Sequence, residues 1–469
     1  MELSCLINRV LLLSMKKNYI IFFIPFLILF SCGSDDGLTP LPIETTADSI
    51  TILQNSEIEI FIFLNDFNIP SLGELSISQP TKGNVTIVDP NTTPNNPSDD
   101  YILYTANPNE VGVDSFEYTI CSSVGDSDCK TEIVTITITT SSSVLYELEN
   151  MPFSTLSEYQ FFEGDLKNLQ PTSGVVPYTL NATLFSDYAK KKRFVWMPNN
   201  SKASFINENE LLEFPTGTIL IKNFYYDNVL PENTTQILET RLLIKKQEGW
   251  RFANYAWNEE QSEAVLDMNG SYVDLQWEQN GVTKSVEYRI PSEAECHTCH
   301  KVSEIANPIG PKPRNLNLSY EYSDGMANQL EKLVNLGYLE NTLPELISRI
   351  PDYNDNSFTY EERVRAYLDI NCAHCHSEST HCSYRPMRLD FISTEDLTNI
   401  GVCVEADTDL GFGLGHIVEP GDARNSVMHF RISAIAPSTR MPLLARTIVH
   451  TEGVQLIEEW INSLDINCN

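Results

Sequence analysis

Two five-residue stretches place two cysteines and a histidine in the same order, Cys-x-x-Cys-His. This order is the attachment signature of a c-type haem, whose vinyl groups form thioethers with the sulfurs while the histidine ligates the iron. A lone Cys-x-x-Cys would also suit a disulfide or half of a zinc site, but a zinc knuckle needs a second Cys/His pair at matching distance. Two complete copies therefore predict two covalently bound haems, attached at Cys296, Cys299, Cys372 and Cys375, with His300 and His376 as metal ligands.

The sixth ligand of each iron has to come from elsewhere in the chain. For the second haem we expect Met441, because Met441-Pro442 stands before the last helical segment, whereas Met387 and Met428 are placed for packing. Histidine and methionine together favour the reduced state of a six-coordinate iron. For the first haem the choice stays open between Met326, His297, a histidine of the next domain and an open position.

The elements around the second motif follow a recognisable order. Thr359 to Glu362 form a capping box that begins a helix leading to Cys372, and a second helical pattern surrounds Met428. A last helix, capped by Thr451, has apolar residues spaced for one buried face. Helix, motif, helix, Met-Pro loop and helix is the order of a class I cytochrome c. We therefore predict such a domain over 351–469, preceded by a first haem segment over 291–350 with a helix at Ala327–Leu339.

The residues before the motifs have a sequence pattern that is typical of β-structure. Short alternating runs separated by Pro, Gly and Asn predict a β-sandwich over 47–140, and longer aromatic-rich runs predict a second β-rich domain over 145–290. Most of these aromatic residues are expected in the core, and some could line a substrate cleft. The basic run Lys190–Arg193 suggests a solvated turn or a docking patch for an acidic redox partner.

The net charge and the N-terminal sequence limit the partners and the location that the protein can have. The 31 basic and 64 acidic residues give a net charge of −33, so nucleic-acid binding through a basic stripe is excluded as a default. An apolar run after Lys17 fits the core of a signal peptide, here residues 1–31. The sequence Leu29–Cys32 resembles a bacterial lipobox, which would make Cys32 a lipid attachment site at the head of a 32–46 linker. We expect an outer-membrane lipoprotein of the cell envelope, facing the periplasm or the cell surface.

An oxidising compartment also permits disulfides. Cys121 and Cys129 flank a short turn and are expected to bond to each other. Cys382 and Cys403 bracket the loop after the second motif and are the other candidate pair, which leaves Cys468 spare.

Two resemblances extend these predictions. Leu64–Asp66, Lys82–Val85, Tyr104–Pro108 and Gly112–Tyr118 look like the bacterial Ig/cadherin-like tandem repeat, in one copy. Such modules usually act as spacers or adhesive units, and calcium binding at Asp66 or Asp114 is the alternative.

The stretch 157–464 resembles a bacterial family of di-haem c-type cytochromes. The strings that carry the resemblance are Phe162–Leu166, Leu184–Tyr188, Lys222–Tyr226, Glu239–Leu243, Trp257–Gln261, Ile309–Lys312, Asn371–His376 and Met441–Pro442. The resemblance implies a periplasmic or surface redox protein, often associated with dehydrogenase-type partners. This chain departs from the family where Ser377–Cys382 replaces a Gly/Pro-rich loop.

The sequence thus predicts a multidomain protein, all-β in an Ig-like sandwich and a second β-rich domain, then an all-α cytochrome c region. The leading functional hypothesis is an electron carrier with two haem c groups, anchored to the membrane by lipid and serving a redox protein or dehydrogenase. The alternative is a haem enzyme, a di-haem peroxidase or the haem subunit of an oxidase, with an open first haem. A third hypothesis is an adhesion lipoprotein in which the haem motifs are vestigial.

Overall fold

The computed structural model describes residues 41–108, 110–122, 128–139 and 142–468. The predicted signal peptide, Cys32 and most of the 32–46 linker lie outside these residues. Within them, no helix is long and apolar enough to cross a membrane.

The first part of the described chain is a β-sandwich of two sheets. One sheet has the order β1-β7-β6-β3, with β1 parallel to β7, and the other has the order β2-β5-β4. Alternate side chains of the two inner faces are apolar and form one core. The strands are β1 Asp48–Leu53, β2 Glu57–Ile60, β3 Gly73–Ile77, β4 Gly83–Val88, β5 Tyr101–Ala106, β6 Gly112–Ser122 and β7 Cys129–Thr139.

Two buried aspartates of this sandwich accept hydrogen bonds from other residues of the protein, and their carboxylates do not face a common space. Asp66 accepts from the hydroxyl of Tyr118 at 2.6 Å, and Asp114 accepts from the hydroxyl of Tyr104 at 2.8 Å. Backbone N–H groups add further bonds to both carboxylates, including that of Lys82 to Asp114. These aspartates tie loops to strands, which is the structural role expected of buried charges with good partners.

The second part is built on an eight-stranded antiparallel sheet. Its main path is β10-β11-β12-β13-β14-β15, and β16, paired with β17, joins it at β12. A two-stranded sheet, β8-β9, precedes it. The strands are β8 Phe162–Glu163, β9 Gln170–Pro171, β10 Val176–Tyr178, β11 Lys190–Trp196, β12 Ile219–Val229, β13 Thr234–Lys246, β14 Gly249–Trp257, β15 Ala264–Leu266, β16 Ser271–Gln279 and β17 Val282–Ile290.

Each face of this sheet covers a different core. Phe194, Ile221 and Tyr255 belong to a cluster on one side that also buries the segment around Phe161. Val195 and Leu220, one position along, belong to the largest cluster, which continues into the helices of the C-terminal part. The period-2 alternation of the strands thus joins the β-rich part to the helical part through one face.

The last part has several helices and two small hairpins. The hairpins, β18 Lys301–Val302 with β19 Ile305–Ala306 and β20 Ser319–Tyr322 with β21 Gly325–Asn328, lie within the predicted first haem segment. The helix predicted at Ala327–Leu339 is shorter, since β21 occupies its start. The helices are α1 Glu293–Cys299, α2 Pro313–Leu316, α3 Gln329–Asn335, α4 Tyr360–Asn371, α5 Leu397–Ile400, α6 Val427–Ser433 and α7 Thr451–Ser463.

Candidate functional site at the two Cys-x-x-Cys-His motifs

The first motif lies on a short helix placed directly after a strand. β17 ends at Ile290, and Ser292 caps α1 in a capping box with Glu295, so the turn into the helix is held from both sides. Arg289, the last residue but one of the strand, also bonds Glu295 at 2.7 Å. The motif therefore starts from a rigid sheet edge, with Cys296 buried and His300 as the C-cap of the helix.

His300 is oriented as a histidine ligand should be. Its Nδ1 lies 3.1 Å from the carbonyl oxygen of Asn307, and the N–H of Asn307 returns to the His300 carbonyl at 2.9 Å. In the tautomer that donates from Nδ1, the Nε2 lone pair stays available for a metal. Burial, with Lys222 and other cations nearby, lowers the pKa of His300 to about 3, so the ring is neutral near pH 7.

The second motif follows α4 as predicted. Thr359 and Glu362 form the capping box at its start, and Cys372 is the C-cap at its end. Burial lowers the pKa of His376 to about 4, so this imidazole is also neutral near pH 7. Both motifs thus keep their histidines in the form that binds a metal.

Two cavities adjoin the second motif, and Met441 lines both. Cys372 and His376 line each of them. Met387 and Met428 line only one of the two cavities. The structure therefore brings Met441 and His376 to the same spaces.

The loop that carries Met441 is held by buried polar groups. The N–H of Met441 donates to the carbonyl of Arg431 at 2.9 Å, and the buried Arg446 donates to the Met441 carbonyl at 3.0 Å. Arg446 makes further bonds to backbone carbonyls of both loop ends. From the β-rich part, Asp187 accepts the N–H groups of Thr447 and Ile448 at 2.8 to 3.0 Å.

The two motifs meet in space although they are far apart in the chain. Ligand atoms of Cys299, His374 and Cys375 all lie within 4.8 Å of one another. A hydrogen bond from Cys375 lowers the pKa of Cys299 to about 5, while that same bond and burial raise the pKa of Cys375. The three residues also form a donor set for a soft metal ion such as zinc, which prefers tetrahedral sulfur and nitrogen ligands.

The segment Ser377–Cys382, where the chain departs from the di-haem family, helps to join the motifs. The N–H of Ser303, in the hairpin after the first motif, donates to the carbonyl of Ser379 at 2.8 Å. Cys382 is buried, and its N–H donates to the carbonyl of Cys375 at 2.8 Å.

The disulfides differ in part from the predictions. Cys121 and Cys129 are bonded, as expected from their short turn. The predicted pair of Cys382 and Cys403 is wrong, because Cys403 bonds Cys468 and Cys382 is a free, buried thiol at the second motif. Nearness in sequence suggested the pair, whereas the fold carries the C-terminal tail back to Cys403.

The candidates for the sixth ligand of the first haem lie in different surroundings. Met326 is on β21 with 67% of its surface exposed, and His297 packs its ring against Phe252 at 4.8 Å. His374 is a further candidate, since it stands among the charges that influence His300 and its Nδ1 is buried without a hydrogen-bond partner.

One feature of the site was assigned wrongly from the sequence. The run Lys190–Arg193 was expected in a solvated turn or a docking patch, but it begins β11, and Arg193 is only 5% exposed. Lys191 and Arg193 share the sheet face that bears Lys222 and Arg241. Strand alternation in Lys190–Trp196 is the signal that could have revealed an inward-facing pair.

The comparisons with known proteins show a family for the N-terminal part of the chain. The family described as bacterial Ig domain matches residues 40–139, which confirms the predicted Ig-like sandwich. No cytochrome c family matches, and no curated protein matches. A solved structure, Sidekick-1 immunoglobulin domains 1-4, aligns at 6% identity over 53% of this chain and 75% of that chain, with a TM-score of 0.16, too low to carry an argument.

Proposed function

We propose that the chain is a di-haem c-type cytochrome that transfers electrons between an external redox enzyme and a respiratory or surface acceptor. The observation that carries this proposal is the meeting of two complete attachment motifs, with Cys299 and Cys375 within 4.8 Å. This close approach supports the proposal because groups that exchange electrons have to be close together.

The residues around each motif fit the haem that the motif implies. At the second site, His376 and Met441 line common cavities, Cys372 and Cys375 supply the two thioether sulfurs, and Arg446 holds the loop of the methionine. At the first site, Cys296 and Cys299 supply the sulfurs, and the bond to Asn307 orients His300. Haem iron at these positions would supply reversible one-electron chemistry.

The other parts of the chain take supporting roles in this proposal. The β-rich part positions the first motif through β17 and the methionine loop through Asp187. The Ig-like sandwich acts as a spacer between this region and a lipid on Cys32 in the outer membrane. The dehydrogenase-type partner is proposed from the family resemblance alone.

Pyridine haemochrome analysis of the mature protein, with electron paramagnetic resonance of the oxidised form, tests the proposal. We expect two covalent haems per chain, both low-spin, with no turnover of peroxide. A high-spin haem that consumes peroxide would support the haem enzyme with an open first site. Stoichiometric zinc without covalent haem would identify Cys299, His374 and Cys375 as a metal site and refute both.

A further inference from the structure

A row of like charges crosses the middle of the large sheet. Arg193 on β11, Lys222 on β12 and Arg241 on β13 are direct register partners, and Lys191 stands two residues before Arg193 on the same face. Like charges directly opposite each other on neighbouring strands are destabilising. A protein with a net charge of −33 has many acidic residues, so this concentration of cations calls for a specific cause.

The row faces the interior of the protein rather than water. Val195 and Leu220 lie on the same face and belong to the core shared with the helices. Arg193 is 5% exposed, and one of its terminal nitrogens is buried with no hydrogen-bond partner in the described structure. Among the described residues, the side chains of Lys191 and Lys222 form no hydrogen bond and no ion pair, and both ammonium groups lie over the ring of Phe224.

The carboxylates of the neighbourhood do not balance these charges. Glu239, fully buried, binds Arg241 through two bonds and also accepts from Tyr288 at 2.6 Å. Asp187 is the other nearby acid, and its oxygens are taken by backbone N–H groups of the methionine loop. Four cations thus share two engaged carboxylates. Burial and the neighbouring guanidinium groups lower the pKa values of Lys191 and Lys222 well below their usual range.

The row ends at the first motif. Asn254 on β14 is the register partner of Arg241, and its amide reaches the sulfur of Cys296 at 3.8 Å. Lys222 and Arg241 are among the charges that act most strongly on His300. An anion bound by this row of cations would therefore lie beside a group held by Cys296 and His300.

We propose that Lys191, Arg193 and Lys222 bind the two propionate carboxylates of the haem attached at Cys296 and Cys299. The assignment rests on the haem function proposed above. Glu239 and Asp187 balance two of the four positive charges. The two propionate carboxylates of one haem match the two charges that remain. Bonds between ammonium or guanidinium groups and carboxylates are strong in partly buried surroundings, so they would replace the repulsion across the strands by attraction.

Spectroelectrochemical titration of the mature di-haem protein tests this proposal with Lys222→Gln. Removing one positive charge beside an iron site favours its oxidised state, so we expect one of the two midpoint potentials to fall and the other to stay. Lys192→Gln is the matched control, because Lys192 lies in the same basic run but is exposed. Lys191→Gln, at a half-buried position, provides a second variant if Lys222→Gln does not accumulate.

The affected haem is identified in a second background. In a Cys296→Ser, Cys299→Ser chain, which retains only the second haem, Lys222→Gln should no longer change the remaining potential. A wild-type chain without covalent haem would refute the function itself. Two haems whose potentials are unchanged by Lys222→Gln and Lys191→Gln would refute the propionate assignment alone. Phosphate that lowers the same wild-type potential at constant ionic strength would show that a free anion occupies the row instead, which also refutes it.

Discussion

The two histidines of the motifs differ in the atom that faces away from a bound iron. Nδ1 of His300 bonds the carbonyl of Asn307, whereas Nδ1 of His376 is buried without a hydrogen-bond partner in the described structure. A hydrogen bond from this nitrogen makes a histidine a more basic ligand and stabilises the oxidised metal. If the proposed haems are bound and Met441 ligates the second, this difference predicts the higher potential for the second haem.

At the residue scale, the role of Met441 can be tested by Met441→Ala. The loss of the thioether should abolish the near-infrared sulfur–iron charge-transfer band while both haems remain attached through their cysteines. Met428→Leu is the matched control, because Met428 lines one of the same cavities from α6 and should serve only in packing. A band that persists in Met441→Ala, measured in the oxidised protein, would remove Met441 from the ligand set.

The features that sequence analysis identified best are those whose signals are local. The capping box at Thr359 is recognised within a few positions, and the structure confirms it as the start of the helix that ends at Cys372. The cation row could not be found this way, because Arg193, Lys222 and Arg241 become neighbours only through strand register. A run of four charged residues suggests a solvated segment unless its alternate residues are assigned to opposite faces of a strand.

At the element scale, the loop of Met441 depends on one buried arginine. Arg446 donates to several backbone carbonyls and forms no ion pair with a carboxylate in the described part of the chain. Lysine has fewer donors in a different geometry, so it would leave some of these carbonyls unpaired. We expect Arg446→Lys to destabilise the loop by about 1.5–3 kcal/mol, the range for hydrogen bonds to charged groups. Urea should then remove the charge-transfer band at a lower concentration than it needs in the wild type.

The control for this experiment is Arg440→Lys. Arg440 lies on the same loop, but among the described residues its side chain makes a single long hydrogen bond of 3.4 Å, so its replacement should leave the urea midpoint of the band nearly unchanged. Equal effects of the two substitutions would show that the loop responds to any change of charge rather than to the contacts of Arg446.

The disulfide that the sequence missed makes a second prediction at this scale. Cys403 and Cys468 are separated by 65 residues, and closing a loop of this length in the unfolded chain contributes about 4 kcal/mol on the entropic account. Cys468→Ser should therefore lower the free energy of unfolding of the helical part by up to about that amount, measured by urea denaturation. Cys382→Ser is the control for losing a thiol, and an equally large effect there under oxidising conditions would contradict the observed pairing.

Element boundaries show where local patterns were insufficient. The last helix was expected to be capped by Thr451, but it begins at Thr451 with His450 as its N-cap, and the N–H of Thr451 donates to the hydroxyl of the distant Tyr188 at 3.2 Å. The helix predicted at Ala327–Leu339 loses its first residues to β21, because pairing with β20 satisfies that backbone instead. In both cases hydrogen-bond partners outside the local sequence pattern determined where the helix begins.

At the scale of the whole molecule, the arrangement of the motifs follows from how the β-rich and helical parts share one core. That core contains Cys296 from the first motif and Ala373 from the second, so the packing that buries the sheet face also brings the motifs together. No local pattern encodes this meeting. It results from many apolar contacts that belong to neither motif, which explains why sequence analysis predicted two haem sites but not their proximity.

The Ig-like sandwich has a core of its own, and polar contacts link it to the following residues. Lys202 pairs with Glu59 at 3.0 Å, and Ser173 donates to Thr139 at 3.2 Å. Pairs of this partly exposed kind contribute little to stability. If the sandwich is a spacer, a mature chain that lacks residues 47–139 should still carry two haems with unchanged midpoint potentials. Loss of either haem, or a shifted potential in redox titration, would instead give the sandwich a part in building the haem sites.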